Sequence, residues 1–144
     1  WFEITTLLIP GHNDSDQEIT ALSQWVMEEL GSDVPLHFSA FHPDHKMPEV
    51  PATPPSTLVR ARHIAMQEGL QFVYTGNVRH REGDTSYCPH CHATLIERDW
   101  YQIVQYRLTP AGHCPDCGAQ VAGRFDGQAG NFGRRRIPVP INSV

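Results

Sequence analysis

The sequence predicts an α/β protein in which a strand-helix-strand-helix-strand run leads into a small β-rich zinc ribbon. Three observations carry that expectation. Extended apolar segments alternate with segments of helical period up to about residue 78. All four cysteines sit in two Cys-x-x-Cys pairs, Cys88 with Cys91 and Cys114 with Cys117, separated by twenty-two residues. Between the pairs, residues 94–101 and 102–108 are rich in β-branched and aromatic side chains at alternating positions.

Residues 2–9 read as a buried strand that ends at Pro10-Gly11. A helix follows, because Ser15 with Glu18 three residues on forms a capping box and Ile19, Leu22, Trp25, Val26 and Leu30 share one face. Gly31 stops it. Residues 34–41 form the second strand, and a loop containing Pro48, Pro51, Pro54 and Pro55 leads to a second helix capped near Ser56 or Thr57. Leu58, Ala61, Ile64 and Ala65 point that helix inward, Gly69 ends it, and residues 72–78 are the third strand. Such a run has right-handed crossovers and a parallel sheet. Polar residues gather just past the strands: His12, Asn13 and Asp14, then His42, Asp44, His45 and Lys46, then Asn77 and Arg79. In α/β folds ligands bind at those carboxyl ends, which makes Asn13 and Asn77 candidate contacts. His37, inside a strand, is expected to be a hydrogen-bonded structural histidine.

The cysteine pairs point to a metal because two thiolates three residues apart reach one tetrahedral ion. Four sulfurs close the shell, leave no position for water, and so imply structural zinc on Cys88, Cys91, Cys114 and Cys117. Iron in a rubredoxin-like site uses the same ligands, and a pair of disulfides or four unrelated core cysteines would also account for these residues. His90, His92 and His113 flank the cysteines and are expected to stay outside the shell.

Three segments follow from these patterns: 1–84, 85–125 and 126–144, with formal charges of −7, 0 and +2 within a total of −5. A ribbon without net charge argues against duplex nucleic acid, whose phosphates need clustered Lys and Arg. No apolar run approaches the roughly 20 residues that cross a bilayer, so a soluble, cytoplasmic protein with reduced cysteines is expected. A strand at Trp1 with nothing before it predicts a piece of a longer chain. Arg134, Arg135 and Arg136 are the only charge cluster of the last segment, suited to solvent or to docking on the acidic first part.

The order and spacing of residues 4–14, 37–44 and 73–78, of the two Cys-Pro-x-Cys pairs and of the glycine-rich stretch 130–139 resemble the C-terminal part of the radical S-adenosylmethionine enzyme of the AmmeMemoRadiSam gene system. That family is related to the pyruvate formate-lyase activating enzymes. The resemblance covers nearly the whole chain and implies the last strands of a partial (β/α)6 barrel with a zinc-ribbon appendage. It also implies, in the full-length parent, a 4Fe-4S cluster that reduces S-adenosylmethionine to a 5′-deoxyadenosyl radical, and Memo-like and AMMECR-like proteins as partners. The cluster loop, Cys-x-x-x-Cys-x-x-Cys, does not occur here, so this chain alone is expected to be inactive. The Phe41-His42 pair resembles the aromatic-His pair beside the cofactor in activating enzymes, which implies His42 as an S-adenosylmethionine contact. Thr5 stands where those enzymes carry an arginine, a departure from the pattern. Two further readings are a non-catalytic zinc-ribbon interaction module, with Trp100, Tyr101 and Tyr106 as its surface, and a rubredoxin-like electron carrier.

Overall fold

The computed structural model describes residues 1–125 and 127–130 of the chain. Of the expected tail, residues 126 and 131–144, with the arginine cluster, lie outside the described residues. The element order is β1 (Ile4–Leu8), α1 (Asp16–Leu30), β2 (Leu36–Ala40), α2 (Pro55–Gln67), β3 (Val73–Gly76), α3 (Arg81–Asp84), β4 (Ser86–Tyr87), β5 (Thr94–Asp99) and β6 (Gln102–Tyr106). The described residues form a mixed α/β structure with two three-stranded sheets.

The first sheet runs β1-β2-β3, parallel throughout, with Thr6 beside Phe38 and Phe38 beside Thr75. The strand order is monotonic, so the chain winds in one direction across the sheet. Alternation along the strands sends Leu8, Leu36, Phe38, Ala40 and Val73 to one face, where they meet Ile19 and Val26 of α1 and Leu58, Ala61 and Ala65 of α2. Burying side chains of this size contributes about 1.5–3 kcal/mol each, and that face is the main core. The opposite face carries two cross-strand rows, Thr5-His37-Tyr74 and Leu7-Ser39-Gly76. Thr5 and Leu7 on it are exposed.

That open face corrects the expectation of a fully buried first strand: only Leu8 of β1 is buried. The helix α1 starts as expected, with the Ser15 hydroxyl accepting from the Glu18 amide at 3.3 Å and donating to the Glu18 carboxylate at 2.7 Å. Gly31 closes it at a φ of 92°. Trp25 and Leu30, placed on its inner face by period, are exposed, and Ser23 is buried instead. The Ser23 hydroxyl is accommodated by donating to the Ile19 carbonyl at 2.7 Å. The start of α2 also differs from expectation, since Pro54 is its N-cap and no side chain caps it. Pro55 at the first position needs none for its own missing N–H.

The second sheet, β4-β5-β6, is antiparallel and carries the cysteine pairs. Two residues are too few to show a period, which is why β4 left no mark in the sequence. A second core of Leu95, Ile96, Leu108, Val121, Cys88 and Cys114 takes in Phe72 from the strand end of the first sheet. Tyr74 joins the two layers: its hydroxyl lies 2.7 Å from the Ser86 hydroxyl, His37 stacks on its ring at 5.0 Å, and the Arg98 guanidinium sits 5.7 Å from the ring centre. Burial raises its pKa above the usual phenol value, outweighing the bond to Ser86, and keeps it neutral. Among the described residues no helix is long and apolar enough to cross a membrane.

Candidate metal centre and strand-end site

The two knuckles have the same backbone geometry. In the first, the His92 amide donates to the Cys88 carbonyl at 2.9 Å and the Cys88 amide to the Ala93 carbonyl at 2.9 Å. In the second, Gly118 donates to Cys114 at 2.9 Å and Cys114 to Ala119 at 2.8 Å. Each turn needs a left-handed residue four places after its first cysteine, His92 at φ 59° and Gly118 at φ 76°. Glycine takes that conformation without strain and histidine does not. Gly118→Ala is therefore expected to lower stability by about 1 kcal/mol, and His92→Gly to raise it by a few tenths to about 1 kcal/mol. Since nothing lies within 4 Å of a Cβ at Gly118, the effect there is purely conformational. Urea midpoints of the two variants check this, and equal shifts of the same sign would refute it.

All four sulfurs lie within 4.8 Å of one another. Cys88 and Cys117 approach to 3.6 Å, and Cys91 and Cys114 to 3.7 Å. A tetrahedron with sulfurs about 2.3 Å from its centre has edges of about 3.8 Å, so the set fits one tetrahedral ion of zinc size. None of the four cysteines is in a disulfide. Cys88 and Cys114 are buried in the second core, whereas Cys91 and Cys117 face solvent. His113 is held outside the cluster by a 3.0 Å bond to the Gly118 carbonyl, and His90 and His92 are exposed. Arg107 ties the hairpin to the second knuckle by donating to Asp116 at 2.6 Å and to the Thr94 carbonyl at 3.1 Å.

Before a metal binds, the thiols share their protons unevenly. Burial pushes Cys114 up, but the amides of Cys117 and Asp116 and the neighbouring thiols bring it to about 7. Cys117 is drawn down by the Ala119 amide, yet burial and the other three thiols push it up to about 12. Metal binding displaces those protons, so affinity falls as the pH drops.

The other candidate region is the carboxyl edge of the parallel sheet, where the structure brings the loops after β1, β2 and β3 together. Thr53, which no sequence pattern singled out inside the proline-rich loop, links two of them. Its buried hydroxyl donates to the Leu8 carbonyl at 2.6 Å and accepts from the Phe41 amide at 2.9 Å. His42 is exposed beside buried Phe41. Asn13 is engaged within its own loop, accepting from the Ile9 amide at 2.7 Å and donating to the Leu7 carbonyl at 3.0 Å. Asn77 adopts φ 62° and donates to the Ala40 carbonyl at 3.3 Å. Asn13 thus pins the loop after β1 to its own strand, and Asn77 ties the end of β3 to the end of β2. His37 bonds Glu3 at 2.9 Å, the hydrogen-bonded role expected of it.

The chain is 43% identical over 122 residues to an uncharacterized protein of Methanocaldococcus jannaschii, a match that takes in 84% of this chain and 37% of that protein. The chain therefore spans little more than a third of the relative's length. No family model and no solved structure matches it.

Proposed function

We propose that this chain is the distal sector of a radical S-adenosylmethionine barrel followed by a zinc-held ribbon, with the electron-transferring cluster supplied by a preceding part of a longer polypeptide. The observation that carries this reading is the open face of the first sheet. Parallel sheets are normally covered on both faces, and a sheet wound in one direction with both long helices on one side has the form of a barrel sector; its other face, covered by the ribbon at Tyr74 and exposed at Thr5 and Leu7, would line the lumen. The relative's greater length leaves room for the remaining strands. In this reading Thr53, Asn13 and Asn77 fix the lumen's rim, and His42 is the group at that rim left to contact S-adenosylmethionine. The thiolates of Cys88, Cys91, Cys114 and Cys117 hold zinc, which supplies structure and no open coordination position. The bound cluster of the parent supplies the electron.

The test is to translate the coding DNA preceding Trp1 in frame and express the joined chain anaerobically with iron and sulfide. A Cys-x-x-x-Cys-x-x-Cys loop and reductant-dependent release of 5′-deoxyadenosine are expected, with His42→Ala raising the KM for S-adenosylmethionine about tenfold. Absence of the loop, or of 5′-deoxyadenosine, overturns the reading. A second reading, a zinc-ribbon interaction module, is favoured by the tip of the β5-β6 hairpin. There Tyr101 and Val104 are 66% and 60% exposed and Trp100 is held at φ 55°. It requires the ribbon to capture a partner without any preceding sequence. The rubredoxin-like reading requires iron-thiolate absorbance in the purified chain, and a colourless zinc form removes it.

A further inference from the structure

Arg62 is a buried cation with no carboxylate partner among the described residues. Arg62 lies on the inward stripe of α2 and is only 7% exposed. Its Nε donates to the Val73 carbonyl on the free edge of β3 at 3.0 Å. Among the described residues no carboxylate pairs with it, and its two Nη groups make no hydrogen bond. Glu68, at the end of the same helix, is engaged by Gln24 at 3.1 Å. Its Nη groups are not among the sealed, unpaired polar atoms, so they keep access to solvent at the cleft while the rest of the side chain is enclosed, and a leucine or methionine would fill the same place without a charge. Arg62 is therefore placed to receive a ligand.

The space for one is adjacent. A cleft of about 260 Å³ separates α2 and the edge of β3 from the first knuckle, and its walls include Arg62, Met66, Phe72, Tyr87, Pro89 and His92. That volume suits an acidic group on a small carbon body. The planar guanidinium fork matches the two oxygens of a carboxylate or phosphate.

We propose that this seam binds a small oxyanion, a phosphate or a carboxylate group, on the Nη groups of Arg62, with the metal-held first knuckle as the other wall. The site is distinct from the strand-end region and does not rest on the radical-enzyme reading. It requires only a folded ribbon, so binding is lost when zinc is removed.

The experiment is calorimetric titration of the zinc-loaded chain with inorganic phosphate and, in a separate arm, succinate. Binding of one anion per chain is expected, weakened about tenfold or more in Arg62→Gln and less in Arg62→Lys. The arm that binds more tightly identifies the oxyanion. On the wild-type chain itself, amide and guanidinium nitrogen shifts on adding the anion are expected at Arg62, Met66 and His92. This second readout needs no variant and stands even if Arg62→Gln fails to fold. Absence of binding in both arms, equal affinity of a folded Arg62→Gln, or shifts confined to another surface would each overturn the proposal.

Discussion

Replacing Cys88 with serine is expected to reduce bound metal from about one ion per chain to nearly none and to unfold the segment from β4 onward. Cys88 is fully buried and belongs to the second core with Leu95, Ile96 and Leu108. Structural zinc contributes on the order of 10 kcal/mol to small folds of this type, far more than their own cores supply. The loss also reaches the first sheet, because Phe72 and Tyr74 lose the ribbon residues that cover them. Metal analysis together with near-ultraviolet circular dichroism of the tryptophans and tyrosines reads both effects. An unchanged metal content with an unchanged melting curve would rule out a zinc-held ribbon.

The second large effect is expected from Gly83→Ala in α3, the single turn that packs between β3 and β5. A Cβ at Gly83 would collide with the Thr75 hydroxyl and come within 2.8 Å of the Thr75 methyl and 2.7 Å of His80 Nδ1. Thr75 is buried and its hydroxyl makes no hydrogen bond, so the clash falls on a side chain already enclosed between β3 and α3. Relieving the overlap requires moving α3 away from β3, at about 2 kcal/mol. Adding Thr75→Ala to the variant removes two of the three colliding atoms and should recover part of the loss, a coupling readable from urea midpoints of the four proteins of the cycle. A Gly83→Ala variant within about 0.5 kcal/mol of wild type would show that the close approach is not maintained in solution.

How much of this is legible in the sequence differs by element. The four-cysteine cluster is readable in full, since a Cys-x-x-Cys spacing constrains both sulfurs of a pair before any tertiary contact forms. The capping box of α1 and its glycine stop are readable for the same reason: each is an interaction within a few residues. Trp25 and Leu30 are misplaced because period puts a residue on a helix face but says nothing of how wide a face the neighbouring layer covers. Arg62 leaves a trace, standing at the apolar spacing of Leu58, Ala61 and Ala65, yet a charge in such a stripe reads as noise until its burial is known. Asn13 and Asn77 do stand at strand ends, and only their hydrogen bonds reveal that they hold the loops.

The sequence by itself determined the local devices: the caps, the strand and helix periods, the two knuckles and the four thiols they bring together. Tertiary structure alone decided which face of the parallel sheet the helices cover, that Tyr74 joins the sheet to the ribbon, that Thr53 locks the ends of β1 and β2, and that Arg62 is buried with no carboxylate partner among the described residues. The physical reason is range. Caps, turns and knuckles are settled by contacts a few residues apart, whereas coverage, unpaired charge and close approach depend on segments that are distant in the chain and meet only when the layers pack.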